Sequence, residues 1–480
     1  MGSNTALLED YLELVTYGFT NPMPDSESGP WKVTAKDVIN GKINFSTARK
    51  TTQEAFDSKI TSKSRPLVGD VLLTKDGTLG RLAIVKETGI CINQSVALLR
   101  TNEKLLPEYL YYLLSTDFYQ KQMINNSDGS VIKHIYITRV GKMEVDIPCL
   151  TEQKRRLNIL TSLDSRIELN EIANQTLEQM AQALFKSWFV DFDLVFDNSF
   201  ASGTDVSDYP EELQHRAEQR KQAQKMPDFK PLPDNIRNLF PSEFEQTDEQ
   251  NIGVFGRIPR GWEVKELSQL VNHQKGFAFK SAWYQDEGHI IVRVSDTTDD
   301  SINVNSCNKI PEELAVEYSS YALKENDLVI ATVGSWPPNY SSVVGKVIRV
   351  PRTAEGGLLN QNAVKLTVSN EYSFHQGFLH CSLKNPKFMG YIVNRAQGSA
   401  NQASITLKSI FNFPILLANN EVMRAFSDQI KINFDKQNLN YKQIQNLTRL
   451  RDSLLPKLIA GELDISSEEI KLEQAISLKD

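Results

Sequence analysis

The stretch TEQKRRLNILTSLDSRIELNEIANQTLEQMAQALFKSW, residues 151–188, decides the fold of this chain. Its apolar and small side chains recur at alternating spacings of three and four, which predicts one continuous α-helix with a single apolar seam. About 40 residues of helix extend roughly 60 Å, and such a helix needs a packing partner because propensity alone does not stabilise it in water. The seam residues are Leu160, Leu163, Ile167, Asn170, Asn174, Leu177, Leu184 and Trp188.

A second heptad pattern of the same kind lies about 270 residues further along the chain. Polar residues interrupt the two seams at different levels: Gln437 matches Ile167, and Asn174 matches Ile444. Buried Asn at a seam lowers stability but fixes register. We therefore predict that the two helices pair antiparallel and hold the flanking domains apart. The alternative is that each is only a core helix of its own globular domain. The second seam comprises Ile430, Asn440, Ile444, Leu447, Leu454 and Leu458.

The segments that precede the two helices also repeat each other. GDVLLTKDGTLGRLAIV (69–85) has the form strand, glycine turn, strand, and residues 326–350 have the same form. CINQSVALLR (91–100) is matched by LLNQNAVKLTV (358–368). Alternating β-rich runs and helices predict a mixed α/β domain in each half, and a repeat this long indicates domain duplication rather than a solenoid.

The predicted fold class is therefore α/β (α+β): two similar mixed α/β domains separated by two long antiparallel coiled-coil helices. An acidic, Pro-containing segment joins the halves and is typical of a loosely ordered linker with short helical pieces. The predicted boundaries are 1–150 and 257–417 for the domains, 151–190 and 418–461 for the helices, 191–256 for the linker and 462–480 for an acidic tail.

The charge distribution is more informative than the formal net charge of −7. The linker holds 14 acidic against 6 basic residues, whereas residues 32–65 hold 8 basic against 3 acidic ones. A local basic patch matters more for phosphate binding than the whole-chain sum, although a solvated lysine-rich surface is the alternative. The chain shows no signal peptide and no apolar run of membrane-spanning length, and its 4 cysteines form no C-x-x-C pair. We expect a cytoplasmic protein with no membrane partner.

Catalytic signatures are missing from the sequence. It contains no P-loop, no G-x-S-x-G, no H-E-x-x-H and no dinucleotide-binding glycine pattern. We therefore predict no catalytic residue and no metal site. Two rival functions stay open: a coiled-coil scaffold that binds other proteins without reading DNA, and a divergent Mg²⁺ nuclease that uses Asp234 and Glu263.

Three stretches resemble a known family, the specificity subunits of type I restriction–modification enzymes. Residues 151–193 resemble the central conserved region of that family. IPRGWEV (258–264) resembles the segment that opens the second target-recognition domain, and LTRLRDSLLPKLIAGEL (447–463) resembles the distal conserved region. The first domain departs from the family pattern, because no such Gly-Trp opening precedes it.

The resemblance implies a non-catalytic subunit that binds double-stranded DNA. Each domain would read one half of a bipartite site, and the helical pair would set the gap between the halves. Two methyltransferase subunits and two motor-nuclease subunits would bind this scaffold. The assembled complex would be an adenine-N6 DNA methyltransferase and an ATP-dependent endonuclease for host defence. S-adenosylmethionine, ATP and Mg²⁺ would belong to those partners, so no cofactor is expected in this chain.

Candidate DNA-contacting residues follow from the basic patch and from the polar turns of each domain. Lys and Arg side chains suit phosphates, and side chains with paired donors and acceptors suit base edges. For any single residue, ordinary turn or surface chemistry is the alternative. The phosphate candidates are Lys36, Lys42, Arg49, Lys50, Lys63, Arg65, Lys275, Lys280 and Lys346. The base-reading candidates are Lys75, Thr78, Arg81, Ser130, Lys133, His134, Ser335, Trp336, Asn339, Tyr340, Gln397, Ser399, Asn401 and Gln402.

Overall fold

A computed structural model describes residues 6–39, 41–125, 134–298 and 300–463. These residues divide into two compact units, 6–167 together with 446–463, and 168–445. Each unit therefore combines one α/β domain with a part of both long helices. Two predicted DNA contacts, Ser130 and Lys133, lie outside the described residues, as does most of the predicted acidic tail.

The first unit is built on a four-stranded antiparallel sheet. Its strands lie in the order β2 (Leu12–Tyr17), β10 (Val96–Thr101), β7 (Val71–Thr74) and β8 (Leu82–Ile84). Its strands are buried on both faces: Val71 and Leu73 pack into one apolar cluster, and Leu72 packs into another. This explains the unbroken apolar run VLL, since alternate side chains of a strand point to opposite faces. The strands are β1 (Ala6–Leu7), β2 (Leu12–Tyr17), β3 (Ser26–Val33), β4 (Val38–Ile39), β5 (Lys42–Ile43), β6 (Arg49–Lys50), β7 (Val71–Thr74), β8 (Leu82–Ile84), β9 (Ile90–Ile92), β10 (Val96–Thr101) and β11 (Glu144–Val145). The helices are α1 (Gln53–Lys59), α2 (Pro107–Ser115), α3 (Asp117–Asn125), α4 (Ile137–Gly141) and the first part of α5 (Leu150–Phe185).

The second unit repeats this sheet. Its strands lie in the order β15 (Val271–Lys275), β22 (Ala363–Val368), β18 (Leu328–Ala331) and β20 (Val347–Arg349). Its helices are α6 (Asp193–Ala201), α7 (Glu211–Ala223), α8 (Asp234–Arg237), α9 (Leu267–Leu270), α10 (Glu312–Glu317), α11 (Gln376–Lys384), α12 (Pro386–Val393), α13 (Leu407–Phe411) and the first part of α14 (Asn420–Ala460). Its strands are β12 (Phe244–Gln246), β13 (Arg257–Pro259), β14 (Glu263–Glu266), β15 (Val271–Lys275), β16 (His289–Val292), β17 (Asn308–Ile310), β18 (Leu328–Ala331), β19 (Val333–Gly334), β20 (Val347–Arg349), β21 (Leu358–Leu359), β22 (Ala363–Val368), β23 (Gln397–Ser399), β24 (Gln402–Ser404) and β25 (Pro414–Leu417).

The duplication extends to the register of the strands. β3 pairs parallel with β9 in the first unit, and β16 pairs parallel with β21 in the second. Isolated parallel bridges join Phe19 to Asn93 and Phe277 to Asn360, at the Asn-Gln dipeptides that the repeat aligned. The strand that opens each domain pairs antiparallel with the strand before the long helix, β1 with β11 and β14 with β25. The predicted fold class is confirmed.

In the first unit the two long helices pack antiparallel. Leu160 of α5 and Leu458 of α14 are fully buried in one apolar cluster, which also holds the sheet face of the domain. At one end Arg156 donates to the carbonyl oxygen of Ile459 at 2.8 Å, and further along Arg451 Nη1 lies 2.8 Å from Asp164 Oδ1. Other predicted seam residues of this unit are buried or half-buried there, namely Leu163, Ile167, Leu447 and Leu454.

In the second unit the same two helices are again antiparallel, and their contact combines the rings of Phe185 and Phe426 with buried polar side chains. The amide of Asn440 donates to Asn174 Oδ1 at 2.8 Å, and the amide of Gln437 donates to the carbonyl oxygen of Asn174 at 3.1 Å. Gln437 is 1 % exposed and accepts from Arg349. The remaining seam residues of this unit are buried or half-buried, namely Asn170, Leu177, Leu184, Trp188, Ile430 and Ile444.

A buried hydrogen-bonded contact joins helix α5 to the second domain. Glu178 Oε1 lies 2.9 Å from Nε2 of His380 on α11. Burial alone would raise the pKa of Glu178, but the charge of His380 and its hydrogen bond, with help from Lys384 and Gln182, lower that pKa well below its usual range. A carboxylate with a lowered folded-state pKa stabilises the fold above its unfolded pKa of about 4.3, and this contribution is lost as the pH falls further.

We expect Glu178→Gln to lower the free energy of unfolding at pH 7 by about 1.5–3 kcal/mol, because a charge-assisted hydrogen bond is lost. The difference from the wild type should shrink as the pH falls below about 4. Urea unfolding between pH 3 and pH 8 measures this, with the exposed Glu212→Gln in the same unit as the matched control. A difference that stays constant over this pH range would contradict the expectation.

The segment 191–256 is not loosely ordered, so that part of the sequence prediction is wrong. Phe192, Phe196 and Leu213 are fully buried in the core of the second unit. Some of the acidic residues that suggested a solvated linker are paired instead: Arg220 holds the carboxylate of Asp197 with two hydrogen bonds of 2.7 and 2.6 Å. The aromatic side chains of helix α6 outweigh the local acidic composition, because burying one such side chain contributes about 1.5–3 kcal/mol.

Candidate nucleic-acid interface

The base-reading candidates of the second domain come together at one edge. β19 pairs with β24, Val333 with Ser404 and Gly334 with Ala403, and β24 pairs with β23. Trp336 Nε1 donates to the carbonyl oxygen of Ser399 at 2.8 Å. Two loops far apart in sequence therefore form one polar surface. Its candidate side chains are exposed or half-buried, namely Ser335, Trp336, Asn339, Tyr340, Gln397, Ser399, Asn401 and Gln402.

The first domain forms the equivalent edge from a shorter loop. Asp76 bridges to His134 in antiparallel fashion, and their side chains are in contact. The backbone N–H of Ile135 donates to the carbonyl oxygen of Lys75 at 3.0 Å. The N–H of Ile405 donates to the carbonyl oxygen of Thr332 at 2.9 Å in the second domain, so the edges correspond bond for bond.

A glycine fixes the turn beside each edge. A Cβ on Gly18 would lie 1.8 Å from the carbonyl oxygen of Ile92, and one on Gly276 would lie 2.0 Å from that of Asn360. No side chain fits there, so the backbone approaches the Asn-Gln turn closely in both domains. Sequence reasoning missed this pair, although the repeated Gly-Phe dipeptide was a readable signal.

Three predicted DNA contacts have other partners in the structure. Lys75 is 6 % exposed and is paired with Asp76, and Lys346 is 7 % exposed. The guanidinium of Arg65 donates to three backbone carbonyl oxygens, those of Phe56, Asp57 and Ile60. Their placement does not favour contact with phosphates or bases, since a buried cation already satisfied by the protein must be freed first.

The remaining cationic candidates lie at the surface. Lys36, Lys42, Lys63, Arg81, Lys275 and Lys280 are exposed. Arg49 is also exposed and is paired with Asp25 at 2.9 Å, and the contacts of Asp25 with Lys32 and Arg49 lower the pKa of that carboxyl. An exposed ion pair of this kind contributes little to stability and leaves the cation available to a phosphate.

An aromatic cleft lies within the basic patch of the first domain and was not predicted. Its walls include Trp31 and Phe45, whose ring centroids are 5.1 Å apart, and Lys50 Nζ lies 4.5 Å from the Trp31 ring centroid. The cleft encloses about 450 Å³. Aromatic residues between cations are typical of nucleic-acid surfaces, and the sequence signal was Trp31 next to Lys32 in the patch.

The described part of the chain contains no group of three or more His, Cys, Asp or Glu side chains that could hold a metal ion. Asp234, which the nuclease alternative needs, is paired with Arg237, and Glu263 is paired with Lys265. None of the helices among the described residues is long and apolar enough to cross a membrane.

Comparisons with known proteins all point to one kind of protein. A family model described as type I restriction modification DNA specificity domain matches residues 23–179. The type I restriction enzyme HindI specificity subunit of Haemophilus influenzae is 29% identical over 75% of this chain and 78% of its own length. The MjaIX specificity subunit of Methanocaldococcus jannaschii is 24% identical over 91% of this chain and 87% of its own length. Most of the chain is therefore similar in sequence to type I restriction-enzyme specificity subunits.

Among solved structures, the S subunit of a type I restriction–modification system from M. genitalium aligns over 95% of both chains, with 14% identity and a TM-score of 0.45. The family model covers most of the first domain and most of α5, but none of the second domain. The second unit repeats the strand order of the first. The duplication therefore extends the specificity-domain architecture to residues that the family model does not reach.

Proposed function

We propose that this specificity subunit reads a bipartite DNA site, one half with each edge. The observation that carries the proposal is the repeated edge itself: a shared framework presents Thr78 and His134 in one unit, and Trp336 and Asn401 in the other. Side chains that differ on the same framework select different bases, because hydrogen-bonding pattern and shape decide which base edge fits. The two half-sites should therefore differ in sequence.

The same proposal covers the partners and the chemistry. The paired long helices set the gap between the half-sites and bind two methyltransferase subunits, and two motor-nuclease subunits complete the complex. Adenine-N6 methylation and ATP-dependent cleavage belong to those subunits, together with S-adenosylmethionine, ATP and Mg²⁺. This chain contributes recognition and spacing, acts in the cytoplasm, and is not a catalyst.

Salt dependence of DNA binding distinguishes this role from a scaffold that ignores DNA. Neutralising a phosphate releases counterions, so the logarithm of the affinity falls by about 0.9 per decade of salt for each contact. We expect the purified chain to bind a random duplex with a steep salt dependence. Lys36→Gln with Lys63→Gln should reduce the slope by about 2, measured by fluorescence anisotropy from 50 to 300 mM salt.

Lys225→Gln with Lys230→Gln, at two exposed positions of the second unit, is the matched control for this measurement, since it removes two charges outside the patch. A chain that binds no duplex, or an affinity independent of salt, would favour the scaffold. Cleavage of the duplex by the purified chain with Mg²⁺ and no partner subunit would favour the nuclease.

Trp336 offers a test of the second edge. Trp336→Ala removes the hydrogen bond to Ser399 and the ring that holds the two loops together. We expect methylation of the bipartite site in the assembled complex to fall at least about tenfold, which corresponds to about 1.4 kcal/mol. Trp336→Phe keeps a ring and should lose less. The exposed Phe118→Ala in the first unit is the control. Methylation at the wild-type level in Trp336→Ala would exclude this edge as a reader.

A further inference from the structure

Each unit has a three-way polar joint where its domain meets both long helices. In the first unit the joint consists of Tyr112 on α2, Asp164 on α5 and Arg451 on α14; Arg451 lies 2.8 Å from Asp164, and the Tyr112 hydroxyl donates to the same carboxylate. All three belong to the first unit. One carboxylate thus ties a domain helix to both helices of the pair.

The joint of the second unit also connects the domain to both long helices, but it does so through different residues. His380 on α11 contacts Glu178 on α5 at 2.9 Å. Arg349 on β20 donates to Gln437 on α14 at 2.7 Å, and Gln437 in turn donates to the backbone of Asn174 on α5. Arg349 is 4 % exposed and also donates to Asn326. The joint is therefore a buried polar network in which Glu178 and Arg349 have partners inside the protein, while Nδ1 of His380 is buried without a hydrogen bond.

Because the two units are duplicates, each polar residue of one joint has an equivalent position in the other unit. Helices α2 and α11 align from their first residues, which places Cys381 at the position of Tyr112. Helices α5 and α14 align with the shift of 270, which places Phe434 at the position of Asp164 and Ala181 at that of Arg451. Cys381, Phe434 and Ala181 are all buried. The second unit has apolar residues at the three positions where the first joint is polar or charged.

The polar residues of the second joint likewise have uncharged residues at the equivalent positions of the first unit. The same alignments place Tyr111 at the position of His380 and Thr448 at that of Glu178. Ile167 stands at the position of Gln437, and Ile84, the last residue of β8, stands at that of Arg349, the last residue of β20. On the segment of the first unit, Arg349 would lose Gln437 and would face Asp164, the counterpart of the Phe434 ring over which it lies at 4.1 Å, and that carboxylate is already paired with Arg451. On the segment of the second unit, the first domain would leave the buried Glu178 and Gln437 without His380 and Arg349, which is unfavourable.

We propose that the two joints are non-interchangeable keys that assign each domain to its own segment of the helix pair. A duplicated chain needs such keys, because its two domains and its two seams are otherwise similar enough to pair wrongly within one copy or between copies. Buried polar groups that select one register among several are the best-attested use of such groups. This inference rests on the proposed function, in which the two keys fix the order of the two half-sites and the length of the gap.

The test converts the second joint to the residues of the first without adding charge: Glu178→Thr, Arg349→Ile, His380→Tyr and Gln437→Ile in one chain. Apolar replacement of a whole buried polar network is often tolerated, so we expect a folded chain. In complex with its partner subunits, this variant should place more than about a tenth of all methylation on sites that have an altered gap or two identical half-sites. Light scattering should also detect dimers of the isolated chain.

Removal of an exposed ion pair in the same unit, Asp205→Ala with Lys221→Ala, is the matched control and should change neither readout. If the fourfold variant does not fold, Glu178→Gln replaces it in the test, because this change keeps the shape of the side chain and removes only its charge. We then expect a smaller rise in methylation at sites with altered gaps. A folded variant that stays monomeric and methylates only the wild-type motif would overturn the keys. A wild-type complex with no bipartite motif would instead overturn the proposed function.

Discussion

Inserting one heptad into each long helix, after Ile167 in α5 and after Gln445 in α14, should abolish methylation of the original bipartite motif. These positions are the limits of the two units, so both polar joints stay intact. Seven residues keep the heptad phase of the seam and add about 10 Å of helix. That length equals about three base pairs at 3.4 Å each. Methylation should move to a motif with a gap about three base pairs longer, or cease.

The control for this experiment is a seven-residue polar insertion after Gly203, in an exposed loop, which surface loops tolerate. Long-read sequencing of the host genome reports the gap in each strain. An unchanged gap in a chain with both helices lengthened would mean that the helix pair does not set the spacing.

Trp188→Ala should destabilise the second unit by about 3–5 kcal/mol, the cost of truncating a buried Trp or Phe to Ala. Trp188 is 1 % exposed and lies against Phe240 and Phe426, with ring centroids 5.0 and 5.7 Å away. Because α14 supplies Phe426 and the segment after α5 supplies Phe240, one side chain holds several elements together. Urea unfolding followed by circular dichroism measures the loss.

Leu169→Ala is the matched control, since Leu169 is on α5, the helix that leads to Trp188, and is 59 % exposed. We expect it to change the free energy of unfolding by less than about 0.5 kcal/mol. Equal losses in the two variants would mean that Trp188 is not a core residue.

The helices and the duplication were predictable because they depend on periodicity and repetition, which the sequence displays directly. The heptad seam led to Leu160 and Leu458, and the Asn-Gln repeat led to the aligned bridges at Asn93 and Asn360. The order of segment 191–256 was not predictable from composition, because its acidic residues are neutralised by arginines such as Arg220, more than 20 residues away.

The role of the candidate interface in DNA binding stays a prediction. Turn chemistry marked two loops that the structure brings together at Trp336 and Ser399. It could not show that Lys75 is buried, because burial depends on partners such as Asp76 and Tyr17 that the fold brings close. The polar joints were visible only as irregularities in the seam, since their domain-side members, His380 and Arg349, lie far from the helices in sequence.

The most direct test of the central claim is a genome-wide map of N6-methyladenine in the native host, with and without this gene. Reading by two different edges on a fixed spacer predicts a two-part motif with unequal halves and one gap length, present in the wild type and absent from the deletion strain. If no motif depends on the gene while the partner methyltransferase is expressed, the chain does not specify the DNA target, and a scaffold that binds only proteins becomes the better account.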